Sequence, residues 1–517
     1  IPDSVKSIGE SAFKGCTSLL SVSVPDSVES IGNSAFEGCT SMGYAYLPNN
    51  AKYTVIKSSL FRGCGCLAEI DIPSQLLEIK EGAFGNCSSL VSIELPNSIE
   101  TLGDEYGPVA YGPGGAFQNC TLLQEINIPK NLQFLGAYTF YGCSSLNNIC
   151  ISKNITKTGY YGNFFAKCES LECITFEEGI TYLPEGLFHN CASLKEIDLP
   201  YTITEIGNGA FSGCKNLKEI NLPRGVRKIG DNYGNVVSGV GGCFQGCISL
   251  KEIRLPKELM YLGAYSFNGC TNLETVEINK KINEVGYYAN VFSNCPALKT
   301  ILFENGITKI PNELFAGCNG LKKIEIPQTV TVVGSGAFKN CILLKEVKIP
   351  DSVKEIDANA FADCVNIEEF NFPDTISILG SGVLKGCTKL KKIRLPKTLT
   401  KIPNSMFMEC SSLENIVTDE QIIEIGAFAY KDCVQLSKID LKDSNVRGIG
   451  EYAFSGCSGL TKVDMGNQIE TLGDYTFEGC NNLEEILLSA AIKIIPRGSF
   501  QACSKLENII LTNGIQE

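Results

Sequence analysis

The chain has 517 residues, no Trp, one His and 25 Cys, and its 44 basic against 57 acidic side chains give a formal charge of −13. A single imidazole leaves little room for catalytic triads or His-based metal centres, and the acidic balance opposes a nucleic-acid footprint. No stretch approaches the ~18 uncharged apolar residues of a membrane-spanning helix.

At roughly 150 residues per domain, length alone predicts three or four domains. An internal period overrides that expectation. Twenty-one cysteines, from Cys16 to Cys503, fall on one lattice; of its twenty intervals fourteen are 23 residues, three are 25, two are 33 and one is 24. Phe stands three residues before the lattice Cys in 19 of 21 cases, with Leu384 and Tyr430 as exceptions. Leu stands three residues after it in 19 of 21, with Met42 and Ile367 as substitutes. A fixed period of this length is the signature of a solenoid, whose units bury their apolar sides by stacking.

Each element of the unit has a physical reading. Leu-x-x-Ile-x-Leu-Pro, as in Leu194 to Pro200, alternates with the period of two of a strand. Copies one period apart are predicted to lie side by side as a parallel ladder. Pro, lacking an N–H, closes that strand in 12 of 21 coils. A second apolar pair, such as Ile203 and Ile206, predicts a second short strand. Gly-x-Ala-Phe-x-Gly-Cys then reads as one helical turn, its Phe plugging the core and the Gly before Cys ending the helix.

The whole pattern, Leu-x-x-Ile-x-Leu-Pro-x-x-Val-x-x-Ile-Gly-x-x-Ala-Phe-x-Gly-Cys, resembles the BspA-like, treponemal-type leucine-rich repeat, and the resemblance spans essentially the whole chain. It implies an α/β repeat solenoid: a right-handed superhelix with a parallel β-sheet on the concave face, and short second strands and helical turns on the convex side. It also implies surface or secreted proteins of anaerobic bacteria and parasitic protists that act in adhesion.

Along the chain, two matched insertions stand out: GDEYGPVAYGPGG at 103–115 and GDNYGNVVSGVGG at 230–242, an offset of 127 residues. The flanking sequence recurs at the same offset, so residues 88–214 and 215–341 read as a duplicated five-coil block. The 25-residue intervals add TGYYGNFF at 158–165 and VGYYANVF at 285–292. From Cys341 the coils are nearly uniform, and the last five lack the Pro. The expectation is one continuous solenoid of about 21 coils over residues 1–517, with a ladder contour of roughly 95–100 Å at ~4.8 Å per coil. Ile1-Pro2 and Gln516-Glu517 fall inside repeats, which predicts a fragment of a longer chain or self-association through uncapped ends.

The lattice cysteines, among them Cys191, Cys214, Cys318, Cys341, Cys364 and Cys387, read as a structural ladder of buried, reduced thiols, each stacked on its neighbours' thiols. Parallel side chains one coil apart do not suit the twist of a disulfide, nor do they converge as a metal site requires. Of the four off-lattice cysteines, Cys150 and Cys173 are predicted on outward strand positions staggered by two residues; Cys64–Cys66 and Cys243–Cys247 lack partner ligands in sequence. His189 reads as a surface turn residue. The outward strand positions, from Asp71 and Glu94 through Val417 to Leu487 and Ile510, read mainly as a solvated sheet face.

The insertions share one phase of the repeat and so are expected to project from one edge. They are rich in Gly and carry Tyr106, Tyr111, Tyr160, Tyr161, Tyr233, Tyr287 and Tyr288. Tyr gives large amphipathic contact area at low entropic cost, which makes these seven the candidate binding residues. No acid/base or nucleophile constellation, phosphate loop or cofactor motif appears, so the chain is expected to be neither an enzyme nor a cofactor protein. Two readings remain. One is an extracellular or cell-surface adhesin-like module binding a protein or glycan of a host or neighbouring cell. The other is a structural scaffold of stacked repeats, with a cytoplasmic location as the alternative. Neither involves nucleic acid or membrane insertion of this segment.

Overall fold

The computed structural model describes residues 1–105, 114–160, 162–233, 241–415 and 420–511. Contacts divide the chain into two units, Ile1–Leu273 with Gly286–Tyr288, and Glu274–Val285 with Ala289–Glu517. Each has the same architecture of stacked parallel coils.

In the first unit the Leu-x-x-Ile-x-Leu segments pair in parallel at the repeat offset: Ser21–Ser23 with Tyr44–Tyr46 and Glu69–Asp71, and Asn148–Ile151 with Cys173–Phe176. A second ladder joins the short apolar pairs, Val55–Ile56 through Lys157–Thr158 and Tyr182–Leu183 through Tyr261–Leu262. The second unit repeats both. Its primary strands include Lys323–Glu325 beside Glu346–Lys348 and Lys438–Asp440 beside Lys462–Asp464; its second ladders run Lys309–Ile310 to Ile378–Leu379 and Lys401–Ile402 to Thr471–Leu472. Pro opens a tight turn after the primary strand: Ile203 donates its N–H to the Pro200 carbonyl at 3.1 Å, and Val353 to Pro350 likewise.

The turn holding Phe and Cys is not helical, contrary to the sequence expectation, and no described residue is in a helix. The reason lies in left-handed residues five and one before the lattice Cys, both present in all turns but those before Cys120 and Cys247, where only the second recurs at that place. Ser34 and Gly38 have φ of 56° and 72°; Asn359 and Asp363 have 56° and 60°. Such residues cannot propagate a right-handed helix, and they turn the backbone donors outward along the stack. Ser34, Phe36 and Gly38 give their N–H groups to the carbonyls of Ser58, Leu60 and Arg62 in the next coil, at 2.9, 3.0 and 2.7 Å. Asn359, Phe361 and Asp363 do the same to Ser381, Val383 and Lys385. The turn is therefore a third ladder between coils.

Inside, the Phe column stacks ring on ring. Within the first unit neighbouring centroids lie 5.3 Å apart for Phe13–Phe36 and 5.2 Å for Phe211–Phe244. Within the second unit Phe338–Phe361 are 5.3 Å apart; Leu384 takes the column's place after Phe361, and stacking resumes from Phe407 through Tyr430 to Phe500.

Candidate functional site

The candidate binding tyrosines stand where the chain leaves the second ladder. After Lys228–Ile229 the chain turns at Gly230 (φ 72°) and enters the insertion through Asp231 and Asn232. Asp231 Oδ1 accepts the Tyr233 N–H at 2.9 Å, and Tyr261 donates its hydroxyl to Asn232 Oδ1 at 2.6 Å. Two coils on, Tyr287 and Tyr288 follow Gly286. The Tyr233 and Tyr288 rings lie 6.3 Å apart, and Tyr287 packs edge-on to Tyr288 at 5.2 Å. These three residues thus form one exposed aromatic cluster, with Tyr287 76% accessible, Tyr233 56% and Tyr288 45%. Tyr160 is exposed too, its N–H bonded to the Glu105 carbonyl at 2.6 Å. Tyr106, Tyr111 and Tyr161 lie outside the described residues. The 127-residue offset carries Tyr106, Tyr160 and Tyr161 onto Tyr233, Tyr287 and Tyr288, so the first block holds the same three residue types.

Sequence reasoning missed two further aromatic groups. Tyr44 and Tyr46, both exposed, meet edge-on at 5.8 Å on the face of the primary sheet; the alternation Tyr-Ala-Tyr was the available signal. In the second unit Phe428, Tyr452 and Tyr475, each five residues before a lattice Cys, stack at 5.2 and 4.8 Å. Lys431 lies over the first two rings and Arg497 over the third. Elsewhere the primary sheet face is largely polar, with exposed cross-coil pairs such as Lys392–Glu369 at 2.8 Å and Lys348–Glu325 at 3.7 Å, although Leu302 and Ile510 are also exposed on it. Pairs of this kind contribute about 0–1 kcal/mol each. Val417 lies outside the described residues.

The lattice thiols sit beside the Phe column. Contrary to the expectation that all are buried, Cys16 in the first coil is exposed and Cys503 in the last is half-buried, since each lacks a covering coil on one side. The buried thiols bond carbonyls that the sequence did not reveal. The Sγ atoms of Cys191 and Cys214 reach the carbonyls of Phe165 and Phe188 in the preceding coil at 3.5 and 3.2 Å. Cys318, Cys341, Cys364 and Cys387 reach those of Phe292, Phe315, Phe338 and Phe361 at 3.5, 3.2, 3.1 and 3.4 Å. Burial pushes Cys64, Cys120, Cys168 and Cys387 up to about 12, so the thiol form prevails at neutral pH and nucleophilicity is low. Replacing Cys364 by Ser should cost ~1–3 kcal/mol, because the shorter C–O bond leaves the buried hydroxyl farther from the Phe338 carbonyl. Chemical denaturation of the variant against the parent chain measures this.

Off the lattice, Cys243 fills a buried position that Ala210 holds in the coil before. Cys150 and Cys173 are exposed; Cys150 faces Thr175 and Cys173 faces Asn148 in the strand register. Among the described residues no group of three or more His, Cys, Asp or Glu side chains converges on one point. His189 corrects the sequence reading. It is buried, 9% accessible, because its column in the turn is covered by the coils on either side, where Ala166 and Ser212 are buried as well. Its Nδ1 has no partner, and burial pulls its pKa down to about 4, leaving it neutral at physiological pH.

Stacked parallel coils with a Leu/Ile/Phe core define a leucine-rich-repeat protein. The sequence model for the BspA type leucine rich repeat region matches residues 1–106, 113–233, 241–364, 333–445 and 423–517, and the chain belongs to that family. Among curated proteins none matches. The chain is similar to a leucine-rich repeat protein of Bacteroides ovatus, 21% identical over 98% of this chain and 88% of the other, with a TM-score of 0.36. It is also similar to a leucine rich cell surface protein of Faecalibacterium prausnitzii, 20% identical over 82% and 88%, with a TM-score of 0.32. A leucine rich repeat protein of T. pallidum is 24% identical over 43% of this chain and 82% of its own, with a TM-score of 0.26. Proteins of this repeat class typically serve protein interaction and are generally non-enzymatic. No helix of the described residues is long and apolar enough to cross a membrane.

Proposed function

We propose that the chain is a recognition module of a surface or secreted adhesin-like protein, and that the tyrosine-bearing insertions form its primary contact surface for a protein or glycan of a host or neighbouring cell. One observation carries this reading: Tyr233, Tyr287 and Tyr288, from segments more than fifty residues apart in sequence, meet as an exposed cluster. Exposed tyrosines of this kind present apolar faces and hydroxyl groups together, at the cost of ordering only two side-chain torsions each. The lattice thiols serve the stack, on this reading, as small apolar core residues.

Removing residues 104–114 and 231–241 together should leave the circular dichroism spectrum unchanged while weakening capture on an array of matrix proteins and surface glycans. Undiminished capture by that variant would move recognition to the primary sheet.

A further inference from the structure

The scaffold beneath the two sets of insertions is the same, contact by contact. Thr101–Leu102 leads through Gly103 (φ 82°) to Asp104, as Lys228–Ile229 leads through Gly230 (φ 72°) to Asp231. In the next coil Gly136 donates its N–H to the Leu102 carbonyl at 2.6 Å, and Gly263 to that of Ile229 at 2.6 Å. Ala137 donates to the Asp104 carbonyl at 3.2 Å, and Ala264 to that of Asp231 at 3.0 Å. One coil further, Gly159 bonds the Leu135 carbonyl at 2.8 Å and Gly286 the Leu262 carbonyl at 3.0 Å. A Cβ on these two glycines would stand 2.1 Å from the Ala137 nitrogen and 2.2 Å from the Ala264 nitrogen, so close backbone packing fixes where the chain leaves the stack. The residues that leave are Tyr160 and Tyr287, both exposed.

Tyr160 and Tyr287 both belong to the first unit. Between their feet, from Thr101–Leu102 to Lys228–Ile229, the second ladder takes five steps. At ~4.8 Å per step the two tyrosines stand about 24 Å apart along the stack. They are related by a shift along the solenoid, not by a two-fold axis. A globular partner presents its epitope once, and a closed oligomer relates its copies by rotation. A partner that engages both positions alike must itself repeat by translation, as a linear polymer does. None of the four inserted segments contains Lys or Arg, and their feet carry Asp104, Glu105 and Asp231, which disfavours an anionic polymer.

We propose that the edge bearing Tyr160 and Tyr287 binds a linear, neutral polysaccharide that spans both positions at once. The tyrosine rings pack against the C–H faces of sugar rings, and their hydroxyl groups meet the sugar hydroxyls. Either contact alone is weak. Once one position is filled, the polymer is held at high local concentration beside the other, and the fixed scaffold keeps the two at a constant spacing. The inference rests on the proposed role of the tyrosine-bearing insertions and narrows their partner to one chemical class.

The test uses the full chain and a panel of neutral polysaccharides, mannan, xylan, galactan and laminarin, each supplied as the long polymer and as its trisaccharide, which is too short to span both positions. For the sugar that binds, calorimetry with the trisaccharide should count two sites in the parent chain and one in Tyr160→Ala or Tyr287→Ala, at unchanged affinity per site. On the long polymer either single variant should bind roughly a hundredfold more weakly than the parent, and the double variant should not bind. Tyr201→Ala, at an exposed tyrosine outside the insertions, should match the parent. The single variants meet the same number of sugar segments along the polymer, so their loss measures simultaneous engagement. Single variants that each lack one trisaccharide site yet hold the long polymer within threefold of the parent would overturn the spanning mode and leave the tyrosines as glycan sites. A protein ligand lost on Tyr287→Ala, with no polysaccharide bound, would overturn the sugar class but not the role of the insertions. Binding of any ligand that neither tyrosine affects would overturn both.

Discussion

Phe211→Ala should destabilise the first unit by about 3–5 kcal/mol, among the largest single-residue effects in the molecule. The ring is fully buried between Phe188 at 5.5 Å and Phe244 at 5.2 Å. Truncation removes apolar surface from the core and leaves a cavity that the adjoining coils cannot close, because inter-coil backbone bonds hold them in register: Phe188 N–H to Ala210 O at 2.8 Å and Phe211 N–H to Cys243 O at 2.8 Å. In a solenoid each coil is stabilised mainly by its neighbours, so the loss should open the stack locally before global unfolding. Hydrogen exchange should show protection falling first in the coils around Cys214 and Cys247. A uniform loss across the unit would contradict nearest-neighbour stabilisation.

Gly380→Ala should cost about 3 kcal/mol, an outcome that propensity alone would not predict, since Ala normally favours order over Gly. The position has an ordinary backbone conformation, so the constraint is space. An added Cβ would stand 2.3 Å from the Ala358 backbone nitrogen and 2.7 Å from its Cα, and these backbone atoms cannot swing aside as a flexible side chain would. The Gly380 N–H is meanwhile bonded to the Ile356 carbonyl at 2.8 Å, which holds the two coils at this closeness. Chemical denaturation of the variant should show a reduced midpoint; an unchanged or raised midpoint would mean that the coils can part at little cost.

Much of this architecture was legible in the spacing of residues. The cysteine lattice placed Phe, Cys and Leu on inward columns, and the period-two segments after Leu became the paired primary strands. The turn was not legible as it stands, because Gly-x-Ala-Phe-x-Gly-Cys satisfies a helix-ending pattern and an inter-coil ladder equally well. Only the donors decide, and those of Ser34, Phe36 and Gly38 go to the next coil. The residues found at the two left-handed positions held a clue: Gly, Asn and Asp, which tolerate that conformation, recur one before the Cys, as at Gly38, Asn86 and Asp363. His189 was misread because its column in other coils holds Ser, Ala, Glu or Lys, and residue type alone does not reveal how neighbouring coils cover a position. The tyrosine cluster was legible as a set of related insertions. That Tyr233 meets Tyr288 across two coils required coordinates.

The claim that the insertion edge recognises the partner is tested most directly by comparing two aromatic surfaces on one ligand. With a protein or glycan captured from the array, surface plasmon resonance would give affinities for the parent chain, for Tyr233→Ala with Tyr287→Ala and Tyr288→Ala, and for Tyr44→Ala with Tyr46→Ala on the primary sheet. Buried tyrosine contacts at the centre of an interface contribute about 2 kcal/mol or more, so the triple variant should bind roughly 30-fold more weakly or worse, and the double variant should stay within about threefold of the parent. A triple variant that binds like the parent while the double variant fails would contradict the account and place recognition on the primary sheet.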